Sequence, residues 1–434
     1  MSFSTSQILP ECKTDGELGI FDRPSAAYIH IPFCRRRCFY CDFPVSVVGD
    51  AYGGPNARKN ADNSGTIQEY VAALCEEISI TRKFCQSLQT VFFGGGTPSL
   101  LSVKQLSRIL SSLDREMGIA KDAEISMEID PGTFSLEQLQ GYRAAGVNRV
   151  SLGVQAFQDE LLKVCGRSHN VYDIYESVDL VQKAGIPNFS LDLISGLPHQ
   201  TLAQWEFSLL AAVKITPTHL SCYDLVLEPV TAFGRYFAVG IEPLPGEEIA
   251  AQMYRLAQEI LTNAGYEHYE ISNYALPSYQ CRHNRVYWEN RSYYGFGMGA
   301  ASYVEGVRFT RSRTRQEYYQ WVKDLTSVNV ENPMQLSDIL LETLMLGLRL
   351  AEGLSLNAIA QKFGENILNR IWNCLQSYYQ QGWIEITGDD GLLLVVENGE
   401  SLPQFGHLRL NDPEGFLFSN RILATLFSQL GDRE

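Results

Sequence analysis

Three cysteines lie close together near the start of this sequence, and their side chains are the best suited to metal or redox chemistry. Cys34, Cys38 and Cys41 fall within eight residues, in the order Cys-Arg-Arg-Arg-Cys-Phe-Tyr-Cys. Three thiolates at this spacing can converge on one small metal centre. A [4Fe–4S] cluster with only three protein ligands has one open iron, and that iron can bind a chelating small molecule.

A structural zinc site is the main alternative for these cysteines. Such a site closes with four ligands, and the usual second pair of ligands is missing from the sequence. His30 could supply a fourth ligand, although it lies within a predicted strand and Pro32 stiffens the chain that follows. The other seven cysteines are scattered and, in a reducing compartment, are typical of buried small hydrophobic residues.

Further candidate residues follow short apolar segments of the sequence. The loop Gly94-Gly95-Gly96-Thr97-Pro98 comes after an apolar run, and its glycines allow a ligand to approach the backbone closely. Glu128, Gln155, Arg167 and Asp192 fall at or beyond the ends of successive predicted strands. Carboxylates can bind an ammonium group or ribose hydroxyls, and arginine can bind a carboxylate. Each of these residues, taken alone, could equally brace a strand.

The elements that position these residues repeat one pattern from about Ala26 to Pro229. Short apolar, β-branched runs alternate with amphipathic stretches, and no run resembles a reversed edge strand. The six runs span residues 26–33, 90–95, 124–130, 149–155, 189–196 and 219–229. Strand–helix alternation predicts a parallel sheet with right-handed crossovers. We therefore predict an α/β fold, a partial (β/α)6 TIM-like barrel, with its chemistry at the carboxyl ends of the strands.

Composition shifts divide the chain further. Residues 1–21 are predicted to be an N-terminal tail, and the barrel is predicted over 22–245. A stretch rich in Gly, Asn and Asp at 44–65 predicts a mobile surface insertion within the barrel. An aromatic-rich connecting region follows over 246–333. Helical patterns and a strand–turn–strand pattern over 334–434 predict an α+β region with a small winged-helix-like domain.

Charge and hydropathy exclude some classes of function. The chain has 434 residues and a formal net charge of −15, so its surface should repel phosphate backbones, and no nucleic-acid substrate is expected. No apolar run approaches the roughly 18 residues of a membrane span. The N-terminus has neither a basic start nor an apolar core typical of a secretory signal, so we expect a cytoplasmic protein.

The cysteine spacing, directly after a predicted strand and with Tyr40 before the last cysteine, resembles the signature of the radical S-adenosylmethionine (SAM) superfamily. The resemblance implies a [4Fe–4S] cluster on Cys34, Cys38 and Cys41 whose open iron binds SAM. Reduction of that cluster can cleave SAM to a 5′-deoxyadenosyl radical. The resemblance also implies the partial barrel. The residues expected to contact SAM are Tyr28, Tyr40, Gly95, Gly96, Thr97, Glu128, Gln155, Arg167 and Asp192.

Longer stretches resemble one branch of this superfamily, formed by oxygen-independent coproporphyrinogen III oxidases (HemN) and haem chaperones (HemW). They include YIHIPFC, FFGGGTPS, GVNRVSLGVQAF, DLISGLP and YEISNYA, and the resemblance covers about residues 22 to 430. The oxidases carry a fourth cysteine where this chain has Phe43, and they have a longer segment before the barrel. The sequence CRHNRVYW at 281–288 resembles the HNxxYW motif of the chaperones. All three features favour the chaperones.

The HNxxYW motif also suits haem chemically, because haem needs an axial donor and a flat apolar surface. The resemblance implies that His283, Asn284, Tyr287 and Trp288 contact haem, with ligation of iron by His283 left open. Cys281 is an alternative donor. The segment Ser195-Gly-Leu-Pro-His199 departs from the family pattern, and its His199 is another candidate metal donor. Without the resemblance, His283 would be read as a hydrogen-bonded structural histidine and the aromatic residues as core.

The expected function is therefore that of a chaperone that binds haem, a cluster and SAM and delivers haem to haemoproteins, often at a membrane. A homodimer is compatible with this role, and oxidase activity is not expected. The alternative is an oxygen-independent coproporphyrinogen III oxidase, which decarboxylates the propionates of its substrate oxidatively by radical chemistry. A radical tRNA-modifying enzyme would need a basic RNA-binding region, which the acidic composition does not favour.

Overall fold

The computed structural model describes residues 22–49, 65–81, 83–84, 86–324, 335–397 and 401–431. The predicted tail 1–21 and residues 50–64 of the predicted insertion lie outside the described residues. The described residues form two compact units, the first drawn from Met1–Asp192, Leu227–Tyr236 and Arg291–Asn332 and the second from Leu193–Val226, Phe237–Asn290 and Pro333–Glu434.

The strands are short, and their bounds in chain order are as follows. They are β1 (Ala26–Ile31), β2 (Phe33–Cys34), β3 (Ser46–Val47), β4 (Leu88–Gly95), β5 (Ile119–Ile129), β6 (Arg149–Gln155), β7 (Asn188–Ser195), β8 (His219–Asp224), β9 (Glu267–Glu270), β10 (Asn273–Ala275), β11 (Tyr294–Phe296), β12 (Ala301–Val304), β13 (Val307–Thr310), β14 (Leu354–Ser355), β15 (Ile384–Thr387), β16 (Leu393–Leu394) and β17 (His407–Leu410).

The helices alternate with these strands in the first half of the chain and dominate the last hundred residues. They are α1 (Gly65–Ile80), α2 (Val103–Met117), α3 (Leu136–Ala144), α4 (Asp159–Val164), α5 (Val171–Lys183), α6 (Leu202–Ile215), α7 (Ala232–Tyr236), α8 (Glu247–Asn263), α9 (Arg282–Trp288), α10 (Arg315–Asp324), α11 (Leu336–Gly347), α12 (Leu356–Phe363), α13 (Glu365–Gln380), α14 (Glu414–Leu417) and α15 (Ser419–Leu430). No helix in the described ranges is long and apolar enough to cross a membrane.

The first unit is built on a sheet with strand order β11-β1-β4-β5-β6-β7. Strand β1 pairs in parallel with β4 and with β11, and β4–β5 and β5–β6 are also parallel pairs. Side chains on both faces of β1 and β6 are mostly buried, as expected where helices cover both faces of a parallel sheet. This α/β arrangement confirms the predicted fold class and adds β11, which lies in the region predicted to be only a connector.

Polar residues define where the barrel helices begin. Ser102, Ser135, Asn170 and Thr201 each accept a hydrogen bond from the backbone three residues later, at the starts of α2, α3, α5 and α6. Such caps satisfy amide groups that have no partner within the helix. Ser102, Ser135 and Thr201 follow the ends of β4, β5 and β7 by six or seven residues, so the loops at those strand ends are short.

The second unit has two parts. Strands β8, β10 and β9 lie side by side, with β10 antiparallel to both neighbours, and α8 packs on α6. In the last hundred residues, helices surround a four-stranded antiparallel sheet of order β14-β17-β15-β16. Its core includes Leu344, Ile371, Leu375, Ile386 and Leu426, all almost wholly buried. This is the predicted α+β region; the winged-helix arrangement stays a prediction.

Two details of the predicted barrel differ from the structure. The sixth run was predicted to be a strand over 219–229, but β8 ends at Asp224. The chain then turns, with Thr231 N–H donating to the Glu228 carbonyl, and Pro229 has no amide for a strand ladder. The sheet also contains β10, a short strand beyond the six predicted ones, which is antiparallel to β8.

Candidate functional site

The three clustered cysteines lie in one loop after strand β1. Its ends are held together because β2 pairs in parallel with β3, with Cys34 opposite Val47. All three thiols are free and partly exposed. Cys41 N–H donates to the Cys38 carbonyl at 3.2 Å, which forms a tight turn. The structure therefore brings the predicted ligands together in a closed loop beside the sheet.

Two arginines hold the far side of this loop through its carbonyl groups. The Arg37 guanidinium donates to the Cys41 carbonyl at 3.3 Å and to the Phe43 carbonyl at 3.1 Å. Arg313 donates to the Asp42 carbonyl at 2.6 Å. The carbonyls of residues 41 to 43 therefore each accept a hydrogen bond from an arginine. The position after Asp42 is occupied by Phe43, whose ring is exposed, and not by a fourth cysteine.

Without a bound cation, two of the three cysteines favour the protonated thiol over the thiolate. Burial, and then the charge of Asp130, raises the pKa of Cys34 to about 12, and burial raises the pKa of Cys41 to about 11. Metal ligation requires thiolates. Within the described ranges, no three His, Cys, Asp or Glu side chains surround one point suited to a single ion. Three cysteines carried by one loop suit the separate irons of a cluster.

His30 does not fit the role of a fourth zinc ligand. Its Nδ1 lies 3.1 Å from the Tyr28 hydroxyl, and its Nε2 lies 3.1 Å from the Pro44 carbonyl oxygen. Burial lowers the pKa of His30 to about 4, so the ring is neutral at pH 7. Both nitrogens are engaged, and the Nε2 contact joins strand β1 to the end of the cysteine loop, which is a positioning role.

The Arg167–Asp130 ion pair lies directly beside the cysteine loop. Arg167 Nη2 is 2.5 Å from Asp130 Oδ1 and donates to the Gly153 carbonyl at 2.8 Å. Its Nη1 lies 3.4 Å from Cys38 Sγ and 3.5 Å from the Tyr40 hydroxyl. Arg167 and Tyr40 were predicted site residues. Asp130 was not among the predicted site residues, because its pairing with Arg167 across 37 positions leaves no sequence signal.

Asp130 also anchors the glycine-rich loop, since Thr97 Oγ1 donates to its second carboxylate oxygen at 3.0 Å. Burial opposes ionisation of Asp130, but Arg167 outweighs it, so the pKa of Asp130 lies below its usual value. Arg167 Nε is buried and has no hydrogen-bond partner among the described residues. A buried donor of this kind suits a carboxylate-bearing ligand.

A second group of polar residues at the strand ends is centred on Glu128. Its Oε2 accepts the Gly95 amide at 3.0 Å, and Gly95 has φ +105° with a His30 ring atom 2.4 Å from where a Cβ would lie, so only glycine fits. Burial and then Asp192 raise the pKa of Glu128 to about 8. Asp192 itself accepts a hydrogen bond from Ser151 at 2.9 Å. An ammonium group bound here would relieve the carboxylates' mutual repulsion.

The remaining expected SAM contacts also lie in the first unit. Gly96 donates to the Ile31 carbonyl at 2.8 Å, and a Cβ on it would lie 2.7 Å from that oxygen. Gln155 ends β6 with φ +70°, and Tyr28 stacks its ring on Phe92. All nine expected residues therefore belong to one unit, as do the three cysteines. Their contact with SAM stays a prediction.

The haem motif lies on helix α9 in the second unit. His283 is 1% exposed, and its Nε2 is 2.9 Å from the Tyr287 hydroxyl. Asn284, Tyr287 and Trp288 are partly exposed. Of the alternative donors, Cys281 is fully buried and His199 is exposed. Tyr287 and Trp288 can thus present surface to a ligand, whereas His283 must first give up its bond to Tyr287.

Comparisons with known proteins agree with these observations. Residues 28–211 match the radical SAM superfamily, and residues 334–390 match the HemN C-terminal domain. The protein called heme chaperone HemW in Synechocystis sp. (strain ATCC 27184 / PCC 6803 / Kazusa) is 49% identical over 415 residues, which cover 95% of this chain and 98% of the relative. HemW of Bacillus subtilis (strain 168) is 32% identical over 93% of this chain and 100% of the relative.

A solved structure shows the same fold. Coproporphyrinogen III oxidase (HemN) from Escherichia coli superposes with a TM-score of 0.73 over 93% of this chain and 90% of that chain, at 22% identity. Identity this low is evidence for the fold and not for the activity. The two relatives named above, which align along nearly their whole length, are HemW proteins. This chain belongs to the HemW family of the radical SAM superfamily.

Proposed function

We propose that this protein is a haem chaperone that binds haem, one [4Fe–4S] cluster and SAM and delivers haem to haemoproteins, including membrane-associated ones. The observation that carries the proposal is the loop of Cys34, Cys38 and Cys41 beside the Arg167–Asp130 pair. A loop with three thiol ligands and exposed Phe43 in the next position suits a cluster with one open iron. Membership of the HemW family supports haem as the cargo.

Separate groups of residues would hold the two ends of SAM's amino acid moiety. A cluster with an open iron supplies a site that chelates the amino and carboxylate groups. Arg167, through its buried Nε, is suited to the carboxylate. Glu128, held by the Gly95 amide, is suited to the ammonium group, and Asp192 with its serine donor can accept ribose hydroxyls. Tyr28, Tyr40, Gly96, Thr97 and Gln155 complete the proposed set.

Haem would contact the exposed face of helix α9. Tyr287 and Trp288 offer aromatic surface, and the guanidinium of Arg349 lies 5.9 Å from the Trp288 ring. Ligation by His283 would require its imidazole to leave the Tyr287 hydroxyl. His283 is thus proposed as a haem-site residue, either as an iron ligand or as a support for Tyr287. A substitution of His283 distinguishes these two roles.

The test is a titration of anaerobically reconstituted protein with haemin, followed at the Soret band. The proteins compared are the wild type, Trp288→Ala, His283→Ala and the control His199→Ala, which removes the exposed imidazole outside the motif. We expect saturable binding by the wild type and His199→Ala and weaker binding by Trp288→Ala. A changed Soret maximum in His283→Ala would assign His283 as the ligand, and an unchanged maximum would assign it as a support.

The same preparations are then tested for delivery and for oxidase activity. We expect haem to pass to apomyoglobin as a probe acceptor and no protoporphyrinogen to form from coproporphyrinogen III. Turnover of coproporphyrinogen III without saturable haem binding would contradict the proposal and identify an oxidase. Haem binding that is equal in all four proteins would contradict the placement of haem on α9.

A further inference from the structure

Arg349 lies beside helix α9, where the proposed function places haem. Its guanidinium carbon is 5.9 Å from the centre of the Trp288 ring. Both residues belong to the second unit, and both are partly exposed, as is Tyr287. A cation therefore stands next to the aromatic surface that Tyr287 and Trp288 offer.

The backbone fixes the position of Arg349 without help from its side chain. Arg349 follows helix α11, and its carbonyl accepts the Ile271 amide at 3.0 Å. Two residues later, the Ala351 amide donates to the Tyr269 carbonyl of β9, also at 3.0 Å. The segment that carries Arg349 is thus paired with the end of β9, so the guanidinium is attached to a rigid part of the second unit.

The charge of the Arg349 side chain is poorly compensated. Its Nη2 donates to Asn420 Oδ1 at 3.1 Å, and that amide is neutral. Its Nε is buried and has no hydrogen-bond partner among the described residues. The same residues provide Arg349 with no ion pair. Because a buried donor normally has a partner, a polar group from outside the chain is expected here.

Glu270 is the carboxyl group whose charge acts on Arg349. It is fully buried, and it accepts hydrogen bonds from the Ser272 amide at 3.1 Å and from the Asn273 side chain. Burial raises the pKa of Glu270 to about 7, so its charge is only partly developed at neutral pH. Burial also lowers the pKa of Arg349, and a carboxylate from a ligand would favour the charged guanidinium again.

Arg285 of helix α9 differs from Arg349 in this respect. Its guanidinium forms ion pairs with Glu289, at 2.9 Å, and with Glu352, and it donates to Gln280 at 2.8 Å. The charge and donors of Arg285 are therefore used within the protein. Arg349 has the same planar set of donors, but its side chain bonds only to a neutral amide.

Haem carries the groups that fit such a cation. It has two propionates, which are ionised at neutral pH because a carboxyl group in water has a pKa near 4 to 5. The chain has 35 lysines and arginines against 50 aspartates and glutamates, so most of its surface disfavours an anion. Arginine can bind a carboxylate through two parallel hydrogen bonds. Contact to the porphyrin ring at Trp288 and to a propionate at Arg349 are thus available side by side.

We propose that Arg349 binds a haem propionate and makes the protein selective for porphyrins with free carboxylates. The inference rests on the haem site of the proposed function. It adds a residue that recognises the edge of the ligand, separately from any contact to its ring or its iron.

The test titrates anaerobically reconstituted protein with haemin and with haemin dimethyl ester, whose propionates carry no charge, and follows the Soret band. Arg349→Gln removes the cation. Asn420→Asp is nearly isosteric at an exposed position, and its new carboxylate would compete for Arg349. We expect the wild type to bind haemin about tenfold or more tightly than the ester. Both variants should lose this preference and bind the ester within about twofold of the wild type.

Arg421→Gln is the matched control. The Arg421 guanidinium also lies 5.9 Å from a tryptophan ring, that of Trp383, and its removal changes the net charge as much as either test variant does. We expect Arg421→Gln to keep the preference of the wild type. Protoporphyrin IX and its dimethyl ester, which contain no iron, should show the same preference, because a propionate contact does not depend on axial ligation.

Three outcomes would overturn the inference. The wild type could bind haemin and its ester equally, or Arg349→Gln and Asn420→Asp could weaken the binding of both ligands to the same extent, as a purely structural role of Arg349 requires. An equal loss of preference in Arg421→Gln would show that net charge sets the preference. Absence of saturable binding of either ligand by the wild type would instead contradict the proposed function itself.

Discussion

At the residue scale, Asp130 joins three parts of the chain that are distant in sequence. One carboxylate oxygen pairs with Arg167, and the other accepts the Thr97 hydroxyl. Arg167 in turn reaches Cys38 and Tyr40 of the cysteine loop. The relative positions of the glycine-rich loop, the end of β5 and the cysteine loop therefore depend on one carboxylate.

Asp130→Asn should destabilise the SAM-free protein, because Arg167 would remain buried without its counter-ion. Removal of one partner from a buried ion pair costs about 3–5 kcal/mol, and the Asp130 side chain is 25% exposed, so we expect about 2–3 kcal/mol. The free energy of unfolding would be measured by urea titration. The matched control is Asp179→Asn, which breaks the exposed Lys183 pair and should cost about 0.5 kcal/mol or less.

The pH dependence of this effect has a definite sign. The pKa of Asp130 is lowered in the folded protein, so the pair stabilises the fold above the unfolded pKa of about 4. This stability is lost as the pH falls through the lower, folded pKa. The difference between wild type and Asp130→Asn should therefore shrink below about pH 4. A difference that is the same at pH 3 and pH 7 would contradict the electrostatic account.

Sequence alone predicted the residues whose type and spacing carry a signal. The three cysteines are recognisable because three thiols within eight residues are rare outside metal sites. Arg167 and Glu128 fall at or beyond the ends of predicted strands. The partner of Arg167 was not predictable, since Asp130 is 37 positions away and pairs only after the strands assemble. The burial of His283 likewise depends on packing around α9, which no local pattern reports.

At the element scale, the glycine-rich loop after β4 must lie against the cysteine loop with almost no space. Gly96 donates to the Ile31 carbonyl, and Thr97 donates to the Phe33 carbonyl at 2.7 Å. A Cβ on Gly96 would lie 2.7 Å from both of those oxygens and 2.9 Å from the Phe33 nitrogen. These are backbone atoms of the segment that leads into Cys34, so they cannot move without moving the loop.

Gly96→Ala should therefore destabilise the protein by about 2–3 kcal/mol, as overpacking against fixed atoms does. It should also lower the amount of cluster incorporated, read as iron and sulfide per chain after anaerobic reconstitution. Gly65→Ala is the control, because Gly65 begins α1 with no atom within 4 Å of its added Cβ. That substitution should be neutral or stabilise by up to about 1 kcal/mol. Equal iron content in all three proteins would contradict the steric argument.

Element boundaries were predictable where an apolar run ends at polar residues. Strand β6 has the predicted bounds, because its apolar run begins and ends at the polar residues Arg149 and Gln155. The sixth strand was predicted five residues too long, since its apolar continuation over 225–229 has strand character but an exposed, turning backbone. The reversed strand β10 was missed because its three residues, Asn-Tyr-Ala, are too few for a periodic pattern.

At the scale of the whole molecule, each compact unit has its own buried core. In the first unit, Leu74 of α1 is fully buried. In the second, Leu375 of α13 is fully buried within a cluster drawn mostly from the last hundred residues. All proposed cluster and SAM residues belong to the first unit, whereas the haem motif belongs to the second. Because each unit is compact by itself, we expect the two units to unfold as separate cooperative blocks.

Differential scanning calorimetry of the full chain should therefore show two transitions that respond to different mutations. Leu74→Ala and Leu375→Ala each remove a fully buried side chain and should each cost about 2–5 kcal/mol, but they should lower different transitions. Addition of SAM to reconstituted protein should raise only the transition that Leu74→Ala lowers, since a ligand stabilises the unit that binds it. A single transition that both substitutions lower equally, and that SAM raises, would show that the chain unfolds as one cooperative block.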